Sequence, residues 1–144
     1  MQLTLNGIQK KEDWKAANIA LPTYDIEKIR KNTKENPVWV HFGAGNIFRI
    51  FMGSLADTLL SAGEMQTGIA CVETFDFDVI DKIYKPFDNL VLAVTLKSDG
   101  SMDKKVLGSL TEAYKASPDF PEDWKRLEEI FINPSLQMVS FTIT

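Results

Sequence analysis

Two glycines one residue apart, Gly43 and Gly45, separate an apolar run from a helix-like segment in Val38-Trp39-Val40-His41-Phe42-Gly43-Ala44-Gly45-Asn46-Ile47-Phe48-Arg49. The chemistry this spacing permits is anion binding. Gly43 lets the chain leave a strand in a conformation that is costly for a residue with a side chain. Gly45 lets the backbone come close to a phosphate, and the free N–H groups of the following helical turn then face the anion, helped by the helix dipole. Arg49, a cation in the first helical turn, is electrostatically misplaced unless an anion binds nearby or the side chain reaches an acidic neighbour. Phe48 stands where a third glycine would allow close helix–strand packing, so the helix should sit further off or the loop should differ. The same two glycines also serve a plain tight turn, and the pattern alone leaves both readings open.

A second set of chemical groups lies at Gly68-Ile69-Ala70-Cys71-Val72-Glu73, an apolar run that ends in an acid, with Asp76 and Asp78 close behind. In a strand–turn–helix–strand unit, a carboxylate at this strand end accepts hydrogen bonds from the adenosine ribose hydroxyls of a bound dinucleotide and repels a 2′-phosphate. Glu73 would therefore favour NAD over NADP. It lies further from the glycines than the usual ~20 residues, and a solvated strand end or helix cap is the alternative. His41, the only histidine, sits inside a strand and reads as a satisfied core residue. Cys71, the only cysteine, reads as a buried inert thiol with no disulfide partner.

The elements that must position these groups follow from periodicity. Residues 1–36 read as an N-terminal helical arm packed on the domain surface. A short helix spans residues 12–20, and a second starts at Asp25 as N-cap, carries Ile26, Ile29 and Arg30, and stops at Asn36-Pro37. Residues 38–42 form the first strand, apolar on both faces as in a covered parallel sheet. The helix after the glycines places Ile47, Phe48, Phe51, Leu55, Leu59 and Ala62 at helical spacing and stops at Gly63. A short helix over residues 76–84 ends at Pro86. Residues 90–96 form a third strand, Ser98-Asp99-Gly100-Ser101 a hairpin turn, and residues 104–110 a returning strand followed by a short helix. Pro121 opens a last helix with Trp124, Leu127, Ile130 and Phe131 as its buried stripe. Residues 136–144 make a fourth core strand, on which the sequence stops. The fold class is α/β, a Rossmann-like, mostly parallel sheet with an inserted β-hairpin. Residues 37–144 read as a dinucleotide-binding domain truncated at its C-terminus.

Composition bounds the partners. The chain has 144 residues, a net charge of −4 and no basic block, which disfavours nucleic acid. No apolar run reaches the length of a membrane span. The opening Met1-Gln2-Leu3-Thr4-Leu5-Asn6 lacks the pattern of a secretory leader, and the expected compartment is the reducing cytoplasm.

The segment from Trp39 to Arg49 resembles the opening signature of the mannitol dehydrogenase family, a strand followed by G-x-G-x-F-x-R, with Gly43, Gly45 and Arg49 in place. Ile47 stands where the family often has Phe, and Phe48 where it often has His; this variant is most similar to the mannonate oxidoreductase branch. Leu21-Pro22-Thr23-Tyr24-Asp25 is similar to the family's N-terminal arm. Ser98-Asp99-Gly100 with Val106-Leu107-Gly108-Ser109-Leu110 resembles its hairpin, and Val139-Ser140-Phe141-Thr142-Ile143-Thr144 its V-T-L-T-V-T strand. The resemblance implies NAD(P)-linked interconversion of a secondary alcohol and a ketone on a small sugar acid or polyol. The first substrate pair would be D-mannonate/D-fructuronate, and the alternatives mannitol or mannitol 1-phosphate. It implies a pyrophosphate loop from Gly43, Ala44, Gly45, Asn46, Ile47, Phe48 and Arg49, ribose contacts from Glu73 and Asp76, and an approach of Thr142 to the nicotinamide half. A catalytic lysine would lie in a C-terminal helical domain absent from this sequence, so the chain alone would be inactive. A stand-alone nucleotide-binding module without chemistry is the alternative. An unfinished sheet would expose apolar surface or pair with a second copy.

Overall fold

In chain order, the computed structural model, which describes residues 1–143, contains α1 (Lys11–Ala16), α2 (Ile26–Glu35), β1 (Trp39–Phe42), a π-helical segment Ile47–Met52 that continues into α3 (Gly53–Ser61), and β2 (Ile69–Glu73). A second π-helical segment, Ile80–Tyr84, runs into a 3₁₀ turn at Lys85–Phe87. Then come β3 (Val91–Leu96), β4 (Met102–Leu107), β5 (Leu110–Lys115), α4 (Pro121–Ile132) and β6 (Met138–Phe141). Thr144, the last residue of the expected final strand, lies outside the described residues.

The apolar runs at β1 and β2 are buried on both faces because they are the inner strands of a parallel sheet ordered β5-β2-β1-β6. One face packs Trp39, Ile69, Cys71 and Leu110 against Phe48, Ala56, Ile80 and Tyr84. The other packs Val40, Ala70 and Val72 against Leu127 and Ile130 of α4. This is the alternation that a two-residue strand period imposes on a sheet covered on both sides. β3 and β4 form a separate antiparallel hairpin, whose turn uses Gly100 at φ +83°. The hairpin shares a third cluster with the arm, built from Ile8, Trp14, Ile19, Ile26, Leu90 and Val106. Ala20 bridges to it through its N–H to the Lys104 carbonyl (3.0 Å) and its carbonyl to the Val106 N–H (2.8 Å). Asp25 caps α2 by accepting from the Lys28 N–H at 3.0 Å.

Several expectations are corrected. Residues 110–115 form β5, not a short helix. The Gly108-Ser109 step takes the chain out of the hairpin and into the sheet, and Glu112, which obscures the apolar pattern, is buried against Arg126 (3.1 and 3.2 Å). The buried row of the glycine-loop helix is Phe48, Gly53, Ala56, Asp57 and Leu60, whereas Ile47, Phe51, Leu55 and Leu59 face out. The wide π turn shifts the helical phase that a regular 3.6-residue period would continue. In α4, Leu127 and Ile130 are buried with Arg126, while Trp124 and Phe131 are partly exposed. The helix before β3 runs through Pro86 as a 3₁₀ turn, because proline in a first turn lacks only an N–H that is unpaired there anyway. β6 pairs with β1 at one edge of the described sheet, with Met138, Val139 and Phe141 exposed.

Candidate functional site

A cleft of ≈ 780 Å³ opens at the C-terminal ends of β1, β2 and β6, lined by Phe42 to Gly45, Glu73 to Asp76, Val79 and Phe141 to Ile143. From β1 the chain builds outward through β2 to β5, then returns to place β6 on the opposite side of β1. The cleft therefore lies where the strand order reverses, the position at which open α/β sheets bind ligands.

Gly43 leaves β1 at φ +112°, its N–H held by the Val72 carbonyl at 2.8 Å. A Cβ on Gly43 would lie 2.4 Å from Thr142 Oγ1 and 2.9 Å from the Thr142 carbonyl oxygen, so both backbone angle and space require glycine. A Cβ on Gly45 would meet nothing within 4 Å; that side of the loop is open. No side chain caps the start of the helix that follows, which leaves first-turn N–H groups available to a ligand.

Glu73 joins the two halves of the cleft. One carboxylate oxygen accepts from the Ala44 N–H at 3.0 Å, the other from the Thr74 and Phe75 N–H groups at 2.8 and 3.0 Å. Burial alone would raise its pKa, but the backbone donors, Ala44 first, outweigh it and hold the carboxyl below its usual range. An ionised carboxylate has about four lone-pair sites, so the oxygen that holds only the Ala44 N–H can still accept from one hydroxyl. Asp76 is exposed at the rim.

The expected site residues thus separate. Gly43, Ala44, Gly45, Glu73, Asp76 and Thr142 line one cleft. Ile47 points to solvent. Phe48 is fully buried behind the loop, stacked on His41 with ring centroids 4.1 Å apart and planes 3° apart; it fills the gap left by the missing third glycine. Arg49 pairs with no acid among the described residues. It donates to the Ala44 carbonyl at 2.9 Å and to the Asn46 side chain, with its guanidinium 5.9 Å from the Tyr84 ring centre. Tyr84 donates to the same carbonyl at 3.1 Å, so Arg49 and Tyr84 brace the loop from behind. Tyr84 and Ser140 were not expected at the site. A lone tyrosine in a helix carries no local signal, and Ser140 becomes visible only once β6 is placed beside β1. The Cys71 thiol accords with its reading as inert: it is buried, 3.4 Å from the Tyr84 hydroxyl, and burial pushes it up to about 12. Among the described residues no cluster of His, Cys, Asp or Glu could hold a metal ion, and no helix is long and apolar enough to cross a membrane.

No family model matches the chain. The chain is 49% identical to D-mannonate oxidoreductase of Thermotoga maritima over 144 residues, all of this chain and 26% of that protein. It is 28% identical over 130 residues to mannitol 2-dehydrogenase of Pyrenophora tritici-repentis, covering 88% of the chain and 21% of that protein. Among solved structures, D-sorbitol dehydrogenase in substrate-free form superposes with a TM-score of 0.70 at 27% identity, over 88% of this chain and 25% of that one. The Pseudomonas fluorescens mannitol 2-dehydrogenase ternary complex with NAD and D-mannitol gives a TM-score of 0.77 at 21% identity, over 99% of this chain and 27% of that one. The fold is thus a Rossmann-type α/β unit with an inserted hairpin. The chain resembles the mannitol dehydrogenase family over its whole length, and it spans about a quarter of the length of the relatives it matches.

Proposed function

We propose that this chain is the dinucleotide-binding portion of an NAD-linked oxidoreductase that interconverts a secondary alcohol and a ketone on a sugar-derived substrate, D-mannonate and D-fructuronate being the preferred pair. The observation that carries the reading is the convergence of an uncapped helix start, the Gly43–Gly45 loop and the Glu73 carboxylate on one cleft at the strand-order reversal. The substrate pair is favoured by 49% identity to a D-mannonate oxidoreductase.

The bound dinucleotide would accept or return a hydride at the substrate carbon. This chain's residues bind and orient it. Gly43, Ala44, Gly45 and Asn46 allow close approach of the pyrophosphate, with the Gly45 and Asn46 N–H groups as its donors, since those of Gly43 and Ala44 are held by Val72 and Glu73. Glu73 accepts from a ribose hydroxyl, with Asp76 beside it, and its charge opposes a 2′-phosphate. No lysine or histidine lines the cleft among the described residues, so the acid–base group is assigned to the remainder of a longer parent protein.

Calorimetric titration of the chain with NAD and NADP tests this. Saturable NAD binding, weaker NADP binding and a roughly tenfold or greater loss on Glu73→Ala are expected, since hydrogen bonds to a charged group are worth about 1.5–3 kcal/mol. A folded chain that binds neither dinucleotide overturns the proposal. Binding indifferent to Glu73→Ala overturns the ribose role.

A further inference from the structure

β1 and β6 run parallel with His41 beside Ser140. That register gathers four polar groups on the otherwise apolar face beneath Phe48. The Trp39 indole N–H donates to Ser140 Oγ at 2.7 Å. Ser140 Oγ lies 2.8 Å from His41 Nδ1, and His41 Nε2 lies 3.2 Å from Thr142 Oγ1. Thr142 lines the cleft, and its hydroxyl stands directly against Gly43, within 2.4 Å of where a Cβ there would sit.

The donor inventory gives this row a direction. An indole nitrogen can only donate, and a hydroxyl carries one proton. Ser140 receives the indole hydrogen, so its own proton is used only if it goes to His41 Nδ1. The imidazole then carries its hydrogen on Nε2 and donates to Thr142 Oγ1. Thr142, having accepted, turns its own proton toward the cleft. The opposite tautomer would make Ser140 accept twice, leave its proton without an acceptor among the described residues, and draw the Thr142 proton inward. His41 is buried and burial lowers its pKa, which keeps the ring neutral and the row in a single polarity at neutral pH.

We infer that Trp39, Ser140 and His41 form a one-way hydrogen-bond relay that fixes the Thr142 hydroxyl as a donor into the cleft, aimed at an acceptor oxygen of the dinucleotide's phosphate–ribose backbone. The ligand end rests on the cofactor reading above; the direction of the relay does not. His41 is here a positioning residue, acting only through Thr142. Its place inside a strand conceals this from the sequence, because Ser140 and Thr142 lie ninety-nine and one hundred and one residues further along the chain.

The chain has one histidine, so long-range ¹H–¹⁵N correlation on the labelled chain reads its tautomer without assignment. The Nε2–H form is expected at neutral pH, and a dominant Nδ1–H form overturns the relay. Trp39→Phe removes the donor that sets the polarity and should shift His41 toward a tautomer mixture; an unchanged pure Nε2–H spectrum in a folded variant overturns the role of the indole. In parallel, NAD titrations compare Thr142→Val with Thr142→Ser. The valine variant keeps the packing against Gly43 and should bind about three- to tenfold more weakly, the range of one net hydrogen bond, while the serine variant should stay within about twofold. Equal affinity in the valine variant overturns the ligand end. If the folded wild-type chain binds no dinucleotide, the cofactor reading fails and takes the ligand end with it, whereas the tautomer still decides the relay.

Discussion

The cleft end of the sheet and the arm–hairpin module are held by opposite means. Around the cleft, side chains are turned onto backbone. Glu73 accepts three N–H groups, and Arg49 and Tyr84 both donate to the Ala44 carbonyl. The arm and hairpin close over an apolar cluster and one buried acid. Asp57, fully buried on α3, accepts from the Tyr24 hydroxyl at 2.5 Å and the Gly108 N–H at 3.3 Å. Its other oxygen has Lys105 Nζ at 2.6 Å, an ionic contact without a well-aligned hydrogen bond. The difference separates two jobs. The module ties the first thirty-odd residues to the helix that leaves the glycine loop, and the loop itself is kept as a shaped, polar, open backbone that a ligand can complete.

Removing the acid gives the largest expected effect. Asp57→Ala should cost about 3 kcal/mol in chemical denaturation, the low end for a broken buried ion pair because Lys105 can reach water. NAD affinity of the folded fraction should stay unchanged. Full stability in the variant, or lost affinity without lost stability, would erase the contrast between the two regions.

Glycine substitutions come next. Gly43→Ala forces a side chain into a left-handed backbone against Thr142 and should cost about 1–3 kcal/mol with dinucleotide binding strongly reduced. Gly100→Ala, also at positive φ but with nothing within 4 Å, should cost about 1 kcal/mol and leave binding intact. Equal effects of the two on binding would detach Gly43 from the cleft.

The two regions should also fail at opposite ends of the pH scale. Glu73 and His41 have lowered pKa values. Their contributions are complete above the unfolded values of about 4.3 and 6.5, and each is lost as pH falls below its own. Tyr24 is raised, by burial first and then by the Asp57 charge. Its contribution is complete below about pH 10 and is lost as pH rises above that. Amide exchange followed against pH should therefore show the loop and strand ends opening on the acid side and the arm–hairpin contacts on the alkaline side; a common midpoint for both would refute the division. The smallest effect is a null one. Cys71 should resist thiol reagents in the folded chain and react only on unfolding.

Much of the site was legible because it is local. Gly43, Gly45 and Glu73 sit at element ends, where residue type alone states the backbone requirement. The arm's second helix was readable from Asp25 to Asn36-Pro37 for the same reason, since caps and proline act on neighbours. The contact of Arg49 with the Ala44 carbonyl was not legible, because that partner is backbone and carries no signature. The burial phase of α3 was misjudged because a π turn adds a residue to the helical period without announcing itself. β5 was hidden by Glu112, whose burial makes sense only with Arg126 beside it.

The sequence by itself determined the strand–glycine–helix order, the acid at the second strand end and the hairpin turn, each of which depends on residues within a few positions of one another, and the family resemblance, which is a series of such local segments in order along the chain. Only the tertiary structure decided which strands are neighbours, which helical face is buried, and that Trp39, Ser140, His41 and Thr142 form one row under the cleft. Those depend on contacts between residues about a hundred positions apart, and such contacts exist only once the sheet has chosen its order and register.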